Sequence, residues 1–199
     1  MKVIVFDCET SGIPLAYDYT KLVYFTDARL LQLGYLIFDV DTQELITARD
    51  ILCTPPTPST ICPVADLYTS GRATVCVKDA LIEFVNHITS DTILVAHNLR
   101  FDMNIILSEI FRLGATNQLD ITTTMEYITR ISTCKHICTY QAKFKLKLIH
   151  LYQRLFGREF IQVHDALQDV MATTACFLAL SLQGYLPEVS LEMKWPDTY

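Results

Sequence analysis

A short, uninterrupted apolar run opens the chain and ends in two acidic residues. Val3–Phe6 are followed by Asp7 and Glu9, and Gly12 and Pro14 mark a turn directly after them. An apolar run of this length that stops at a turn predicts a buried β-strand. Because residues i and i+2 of a strand point to the same face, the two carboxylates should stand side by side at its end.

The rest of the apolar pattern predicts two more leading strands, followed by helices that alternate with strands. Arg29–Asp39 and Leu45–Leu52 are rich in β-forming residues, so with the first strand they predict an antiparallel meander. Gly114, Gly157 and Gly184 are expected to end three of the later helices. The later elements are predicted as helix 78–88, strand 92–96, helix 102–113, a weak strand 118–121, a short helix through 125–127, helix 147–156 and helix 169–182. This order predicts an α/β domain with a mixed sheet, three antiparallel strands and then parallel strands, flanked by helices.

Composition indicates one globular domain. The 199 residues are 51% hydrophobic and 19% charged, which suffices for a sizeable core and excludes a disordered chain. The domain is predicted over residues 1–185, with 186–199 as a C-terminal tail, and the Pro-rich segment 54–58 is predicted as a surface loop.

Membrane insertion and secretion are not predicted. The uncharged run 170–187 contains several polar residues, which favours a buried core helix over a membrane span. The acids at positions 7 and 9 interrupt the N-terminal apolar run too early for a signal peptide. Seven irregularly spaced cysteines indicate reduced thiols, and hence a cytoplasmic protein, rather than a disulfide framework.

The charge is distributed unevenly along the chain. The formal net charge is −6, yet residues 127–158 contain no acidic residue. Asymmetry of this kind within one domain predicts a basic face for a polyanion, although a run of solvated lysines would look the same. The basic residues of this stretch are Arg130, Lys135, Lys143, Lys145, Lys147, Arg154 and Arg158.

Two further acidic clusters occur where helices are predicted to begin. Asp102 follows the strand over 92–96, and Asp169 lies near the start of the last helix, five residues after His164. Each acid by itself could simply cap its helix or favour the helix dipole. Together with Asp7 and Glu9, however, they offer four carboxylates at strand ends and helix starts, where α/β sheets gather ligand-binding groups.

Four carboxylates in one pocket require positive charge. Two divalent cations would balance them, and ligands that are all oxygen suit Mg²⁺ or Mn²⁺ rather than zinc. A pair of such ions can stabilise the attacking and leaving oxygens of a phosphodiester displacement.

Three segments resemble the motifs of a known family. Residues 6–12 (FDCETSG) resemble the first motif of the DEDD exonucleases, residues 97–102 (HNLRFD) the second, and residues 164–169 (HDALQD) the third in its HxAxxD form. That form marks the DEDDh, or DnaQ-like, 3′→5′ exonucleases of the ribonuclease H-like superfamily. The segments Gln32–Gly34 and 147–157 also look like the family, and the resemblance extends over residues 1–182.

The resemblance implies a role for each acidic residue and for the histidine. Asp7, Glu9, Asp102 and Asp169 would hold the metal ions, and His164 would be the general base that takes a proton from the attacking water. Histidine suits this task because it can accept a proton near neutral pH.

The resemblance also implies residues that bind the substrate. Backbone groups around Thr10 and Ser11 would hold the 3′-terminal nucleotide, and Ile13 would stand where the family usually has a leucine against the terminal base. Asn98 and Phe101 would line the nucleotide pocket, with Phe101 either a stacking surface or a core aromatic residue.

The chain departs from the family motifs at two positions and offers one competing metal site. Cys8, between the two acids, is expected to be an inert buried thiol, and Asp165 is expected to cap the last helix. The competing site is a zinc site, for which the chain offers Cys134, His136, Cys138 and His150, although the spacing is irregular.

The resulting hypothesis is a metal-dependent 3′→5′ exonuclease that releases nucleoside 5′-monophosphates from single-stranded nucleic acid. The DCETSG form of the first motif is more similar to proofreading-type members, which favours DNA. The alternatives are an RNA 3′-end exonuclease and a non-catalytic nucleic-acid-binding module with the same fold. The pathway, proofreading or repair among others, and a polymerase partner are left open by the sequence.

Overall fold

A five-stranded mixed sheet lies at the centre of the computed structural model, which describes residues 1–42, 44–54, 65–162 and 164–186. Three strands form the antiparallel meander: β1 (Lys2–Thr10), β2 (Leu30–Asp39) and β3 (Glu44–Leu52). On the other side of β1, β4 (Ile93–Ala96) pairs parallel to β1, and β5 (Lys135–Cys138) pairs parallel to β4. The strand order is therefore β3-β2-β1-β4-β5, and the predicted α/β architecture is confirmed.

Helices cover both faces of the sheet. They are α1 (Ala65–Thr69), α2 (Val77–Asn86), α3 (Leu99–Ala115), α4 (Ile121–Thr133), α5 (Leu148–Phe156) and α6 (Ala166–Leu182), together with a short 3₁₀ helix (Leu22–Phe25). No helix within the described residues is long and apolar enough to cross a membrane.

The alternation of side chains along β1 decides which core each residue joins. Ile4 and Phe6 pack with apolar residues of α2, α3 and α4, whereas Val3 and Val5 pack with those of α5 and α6. Asp7 and Glu9 continue the odd-numbered series, so they emerge on the face that α6 covers.

The location of the last strand differs from the prediction. Residues 118–120 form the connection into α4 and residue 121 begins that helix, so no strand lies here. The residues interpreted as a short helix belong to α4, which spans thirteen residues. The fifth strand is Lys135–Cys138, where only Ile137 is buried. A four-residue edge strand with one buried side chain lacks the apolar run on which sequence-based prediction depends.

Two predicted helix boundaries were also wrong. Gly114 lies inside α3 instead of ending it. A Cβ at this position would lie 2.7 Å from the side chain of Thr124 on α4. The glycine therefore serves close helix packing. In addition, α3 begins at Leu99, so Asp102 lies within its first turn and does not cap it. Gly157, at φ 67°, ends α5 as predicted.

Some predictions fall on residues outside the described ranges. These are the Pro-rich loop beyond Thr54 and the C-terminal tail from residue 187 onward, so the domain boundary at residue 185 stays a prediction. All six cysteines within the described ranges are free thiols.

Candidate active site

Three carboxylates converge at the C-terminal end of β1. Asp7 and Glu9 come from β1 and Asp169 from the first turn of α6, and ligand oxygens of the three lie within 4.8 Å of one another. Since α6 covers the face on which Asp7 and Glu9 emerge, the strand alternation and the helix position together create this group, called here the acid cluster.

Asp102 reaches the same strand end from the opposite face of the sheet. Its carboxylate is only 2% exposed, and Oδ1 accepts a hydrogen bond of 3.1 Å from the backbone N–H of Cys8. Asp102 thus binds the backbone between the two strand acids. It lies outside the group of three that satisfies the 4.8 Å distance.

Burial raises the pKa of every one of these acids. Desolvation is the main cause for Asp7, whose pKa is raised well above its usual range, and the neighbouring carboxylates add to the effect. The pKa of Glu9 rises to about 7, mainly through burial and then through Asp169. Burial also raises the pKa of Asp102 to about 8, although the N–H of Cys8 opposes the shift. The described residues therefore place these acids together and form no Lys or Arg ion pair with them.

Asp169 has one satisfied and one unsatisfied oxygen. Oδ2 accepts a hydrogen bond of 2.6 Å from Nε2 of Gln162, whereas Oδ1 is buried and has no hydrogen-bond partner in the described part of the chain. A buried carboxylate oxygen without a partner is costly unless a cation or water binds it. Together with the all-oxygen donor set, this orphaned atom shows that the residues fit a hard divalent cation.

His164 stands at the edge of the acid cluster. Its Nδ1 lies 3.9 Å from Oε1 of Glu9, and its side chain is 65% exposed. The backbone adopts φ 53°, a left-handed conformation that is uncommon for residues other than glycine. Backbone strain of this kind is often kept where it orients a functional side chain.

The start of α6 is fixed on β2 by a buried glutamine and a glycine. Gln32 accepts a hydrogen bond from the N–H of Ala166 and donates to Asp165 and Asp50. At Gly34 a Cβ would lie 2.6 Å from the backbone of Ala166, so only glycine permits this approach. Asp165 caps α6 by accepting from the N–H of Gln168, as predicted.

Sequence analysis missed the roles of Gln32 and Gln162. A glutamine within the apolar strand LLQLGYLIF was a usable signal, because a buried amide needs polar partners. For Gln162 the sequence contains no comparable signal, since its contact with Asp169 depends on how the preceding loop folds back on α6.

The residues expected to bind substrate occupy different environments. The Oγ atoms of Thr10 and Ser11 donate to the carbonyls of Gly12 and Asp27, and the N–H of Ser11 donates to Arg29. Ile13 is 78% exposed, whereas Phe101 is half-buried against the core and Asn98 is exposed before α3. Cys8 is buried, and burial raises the pKa of its thiol well above the usual range, which makes it unreactive.

The basic residues of the acid-free stretch do not all lie near the acid cluster. Lys135 pairs in register with Ile93, at the opposite end of the parallel strands, and Arg130 forms an ion pair with Glu126. Arg154 lies over the ring of Phe144, at 5.0 Å from its centroid. The remaining members, Lys143, Lys145, Lys147 and Arg158, are exposed.

The geometry excludes the alternative zinc site. Cys134 and Cys138 are four residues apart on an extended segment, about 13 Å at the usual rise of a strand, so their thiols cannot share one ion. Nε2 of His136 donates to the carbonyl of Ile131, and Sγ of Cys138 donates to that of His97. Within the described ranges, the acid cluster is the only group of three or more potential ligands that converge.

Comparisons with known proteins agree with this geometry. The RNase T family model, described as an exonuclease, matches residues 4–177. Among solved structures, the chain is similar to E. coli exonuclease I in complex with a dT13 oligonucleotide (18% identity, TM-score 0.60) and to exonuclease I from Methylocaldum szegediense (16% identity, TM-score 0.56).

These structural matches cover 94% of this chain but only 42% and 41% of the two exonucleases, so the chain spans less than half their length. At such identities the likeness shows a shared fold. None of the curated proteins matches the sequence.

Proposed function

The chain belongs to the RNase T exonuclease family, in its DEDDh (DnaQ-like) branch, and we propose that it is a metal-dependent 3′→5′ exonuclease acting on single-stranded nucleic acid. The acid cluster is the observation that supports this proposal most strongly, because Asp7, Glu9 and Asp169 converge and no Lys or Arg of the described ranges pairs with them. Products would be nucleoside 5′-monophosphates.

The four acids would hold two divalent cations, Mg²⁺ or Mn²⁺. When bound, the ions would neutralise the carboxylates and stabilise the attacking and leaving oxygens of the phosphodiester. Asp102 has a second task in this arrangement, because its bond to the N–H of Cys8 fixes the strand backbone between Asp7 and Glu9. Gln162 holds one oxygen of Asp169 and leaves the other directed for a ligand.

His164 would accept the proton of the attacking water. Its exposed ring can reach solvent, and its Nδ1 lies 3.9 Å from Oε1 of Glu9, beside the acid cluster. The left-handed backbone at His164 would orient its ring toward the acid cluster, and Asp165, the next residue, caps α6. The base is thereby attached to the same helix start that positions Asp169.

DNA is the favoured substrate, and two observations support it. The first motif is similar to proofreading-type members, and E. coli exonuclease I, which shares the fold, was solved with dT13 and dA16 oligonucleotides. The free thiols of the described cysteines agree with the proposed reducing, cytoplasmic location.

A denaturing gel tests the proposal. It uses 5′-labelled DNA and RNA strands of one sequence with Mg²⁺, Mn²⁺ or EDTA, and compares wild type with Asp7→Asn. Asp91→Asn is the matched control, because Asp91 is exposed at the opposite end of the parallel strands. We expect a ladder of one-nucleotide steps from the 3′ end, absent with EDTA and with Asp7→Asn but present with Asp91→Asn.

Three other results have clear meanings. A faster ladder on RNA would identify an RNA 3′-end exonuclease, the first alternative. Binding without cleavage by the folded protein in every metal would indicate the non-catalytic module. Cleavage by Asp7→Asn at the wild-type rate would contradict the assignment of the acid cluster.

A further inference from the structure

Two adjoining cavities form a continuous groove along the β5 edge of the sheet. The larger is about 630 Å³ and the smaller about 230 Å³, and they share His136, Cys138 and Gln141. The larger extends to Tyr17, Leu99 and Arg100, whereas the smaller extends to Lys143, Tyr185 and Leu186. Together these residues define what is called here the β5 groove.

Each end of the β5 groove carries a cation stacked on a tyrosine ring. The guanidinium of Arg100 lies 4.8 Å from the ring centroid of Tyr17, and Nζ of Lys143 lies 4.0 Å from that of Tyr185. Both basic side chains are exposed, so their charges stay available to a ligand. Aromatic rings that stack bases, beside cations that bind phosphates, are the components of sequence-tolerant single-strand sites.

The electrostatics of the β5 groove favour a polyanion. Its lining includes one acid, Asp18, which is already paired with Lys21 at 3.4 Å. The other side of the groove, from His136 to Lys143, comes from the stretch of the chain that has no acidic residue. A polyanion placed here would meet cations at both ends and no unpaired carboxylate among the described lining residues.

The two ends lie at very different distances from the acid cluster. Leu99 and Arg100 belong to the first turn of α3, which also carries Asp102, so this end lies near the segment of β1 that Asp102 binds, between Asp7 and Glu9. Tyr185 follows the C-terminal end of α6, and Asp169 and Leu182, thirteen positions apart in that helix, are separated by about 20 Å. At about 3.4 Å for each stacked nucleotide, that distance corresponds to roughly six nucleotides.

We infer that the β5 groove holds the 5′ portion of the single strand whose 3′ end reaches the acid cluster. This inference rests on the proposed function, because it assigns the path of that substrate. Among the described residues β5 pairs only with β4, so an extended peptide could in principle add to its free edge. The stacked cations at both ends favour a nucleic acid, because a peptide strand gains little from them.

The test compares the two ends of the substrate. Lys143→Ala and Tyr185→Ala are assayed on oligo-dT of 20 and of 3 nucleotides, and binding of the 20-mer is measured separately by fluorescence anisotropy in EDTA. Lys78→Ala is the matched control, because Lys78 is a lysine of α2 that lines neither cavity and lies outside the acid-free stretch.

We expect the groove variants to raise the KM and the Kd for the 20-mer by about fivefold or more, with kcat unchanged. For the 3-mer they should match wild type, because it is too short to reach Lys143, and Lys78→Ala should match wild type on both lengths.

Equal losses on both lengths, or none on the 20-mer, would overturn the inference, and the second result would leave the β5 edge available to a protein strand. A folded protein that cleaves nothing would contradict the proposed function alone. The anisotropy measurement would still decide whether the groove binds the strand.

Discussion

Two carboxylates on one face of α3 illustrate opposite ways of burying a charge. Asp102 and Glu109 are seven residues apart, which is about two helical turns, and are 2% and 1% exposed. Glu109 forms a bidentate ion pair with Arg29, at 2.6 and 3.0 Å, and accepts a hydrogen bond from the N–H of Leu30. Asp102 accepts a hydrogen bond from the backbone N–H of Cys8 and otherwise faces other acids. Burial, and to a lesser extent these acids, raise its pKa to about 8.

The ion pair of Glu109 indicates a structural role, whereas the unpaired carboxylate of Asp102 indicates a binding role. At Glu109 the cation is part of the chain, so the ion pair is complete as soon as the protein folds and joins α3 to β2. At Asp102 no basic side chain of the described residues approaches as an ion-pair partner, so the neutralising charge has to come from solution. A buried acid without its own cation is costly to keep, which is why such acids often indicate binding sites.

Of the variants that test this comparison, Asp102→Asn should have the largest effect, a loss of cleavage rate. Asparagine preserves the acceptor for the N–H of Cys8 but removes the charge, so we expect cleavage to fall by at least about a hundredfold. Stability in EDTA should stay equal or increase, because asparagine replaces a carboxyl group whose ionisation burial makes costly. Single-turnover cleavage and thermal melting measure the two effects, and a lower melting temperature with normal cleavage would reverse the role of Asp102.

Glu109→Gln should show the opposite behaviour. Removing one partner of a buried ion pair leaves the guanidinium of Arg29 without its counter-charge, so we expect a loss of about 3 kcal/mol in the free energy of unfolding. Cleavage by the folded protein should remain within twofold of wild type. Urea denaturation measures the loss. Glu126→Gln, which breaks the surface pair with Arg130, should change stability by less than about 1 kcal/mol and serves as the control.

Gln162→Ala sharpens the comparison within the acid cluster. Without the 2.6 Å bond, the carboxylate of Asp169 loses its fixed orientation, so the Mg²⁺ concentration for half-maximal activity should rise about tenfold. Activity at saturating Mg²⁺ should largely recover. Gln168→Ala, an exposed neighbour on α6, is the control. If a metal titration shows the same midpoint for Gln162→Ala and wild type, Gln162 does not position Asp169.

The smallest effect concerns pH. Burial raises the pKa of Glu9 to about 7 and that of Asp102 to about 8. The folded protein therefore retains protons that these side chains release at about pH 4 in the unfolded chain. Stability in EDTA should therefore fall as pH rises from 5 to 8. Mg²⁺ should weaken this dependence by replacing the protons. Melting temperatures at each pH, with EDTA or Mg²⁺, test this, and a rise with pH in EDTA would contradict the sign.

The sequence by itself determined the strand that carries the acids and the identity of the family. Asp7 and Glu9 had to share a face because side chains alternate along a strand, and the meander of β1, β2 and β3 followed from local apolar runs. The helices around 78–88 and 147–156 were also predictable, since a 3.6-residue apolar period is a local property.

Tertiary structure alone decided which of the expected residues meet. Asp169 joins Asp7 and Glu9 because Gly34 admits the backbone of α6 and Gln32 binds its first N–H, contacts that link residues about 130 positions apart. The short strand β5 could not be predicted because its pairing with β4 stabilises it, rather than an apolar run of its own. The partners of Asp102 and Glu109 likewise come from distant strands, so two buried acids of one helix acquired different roles only through folding.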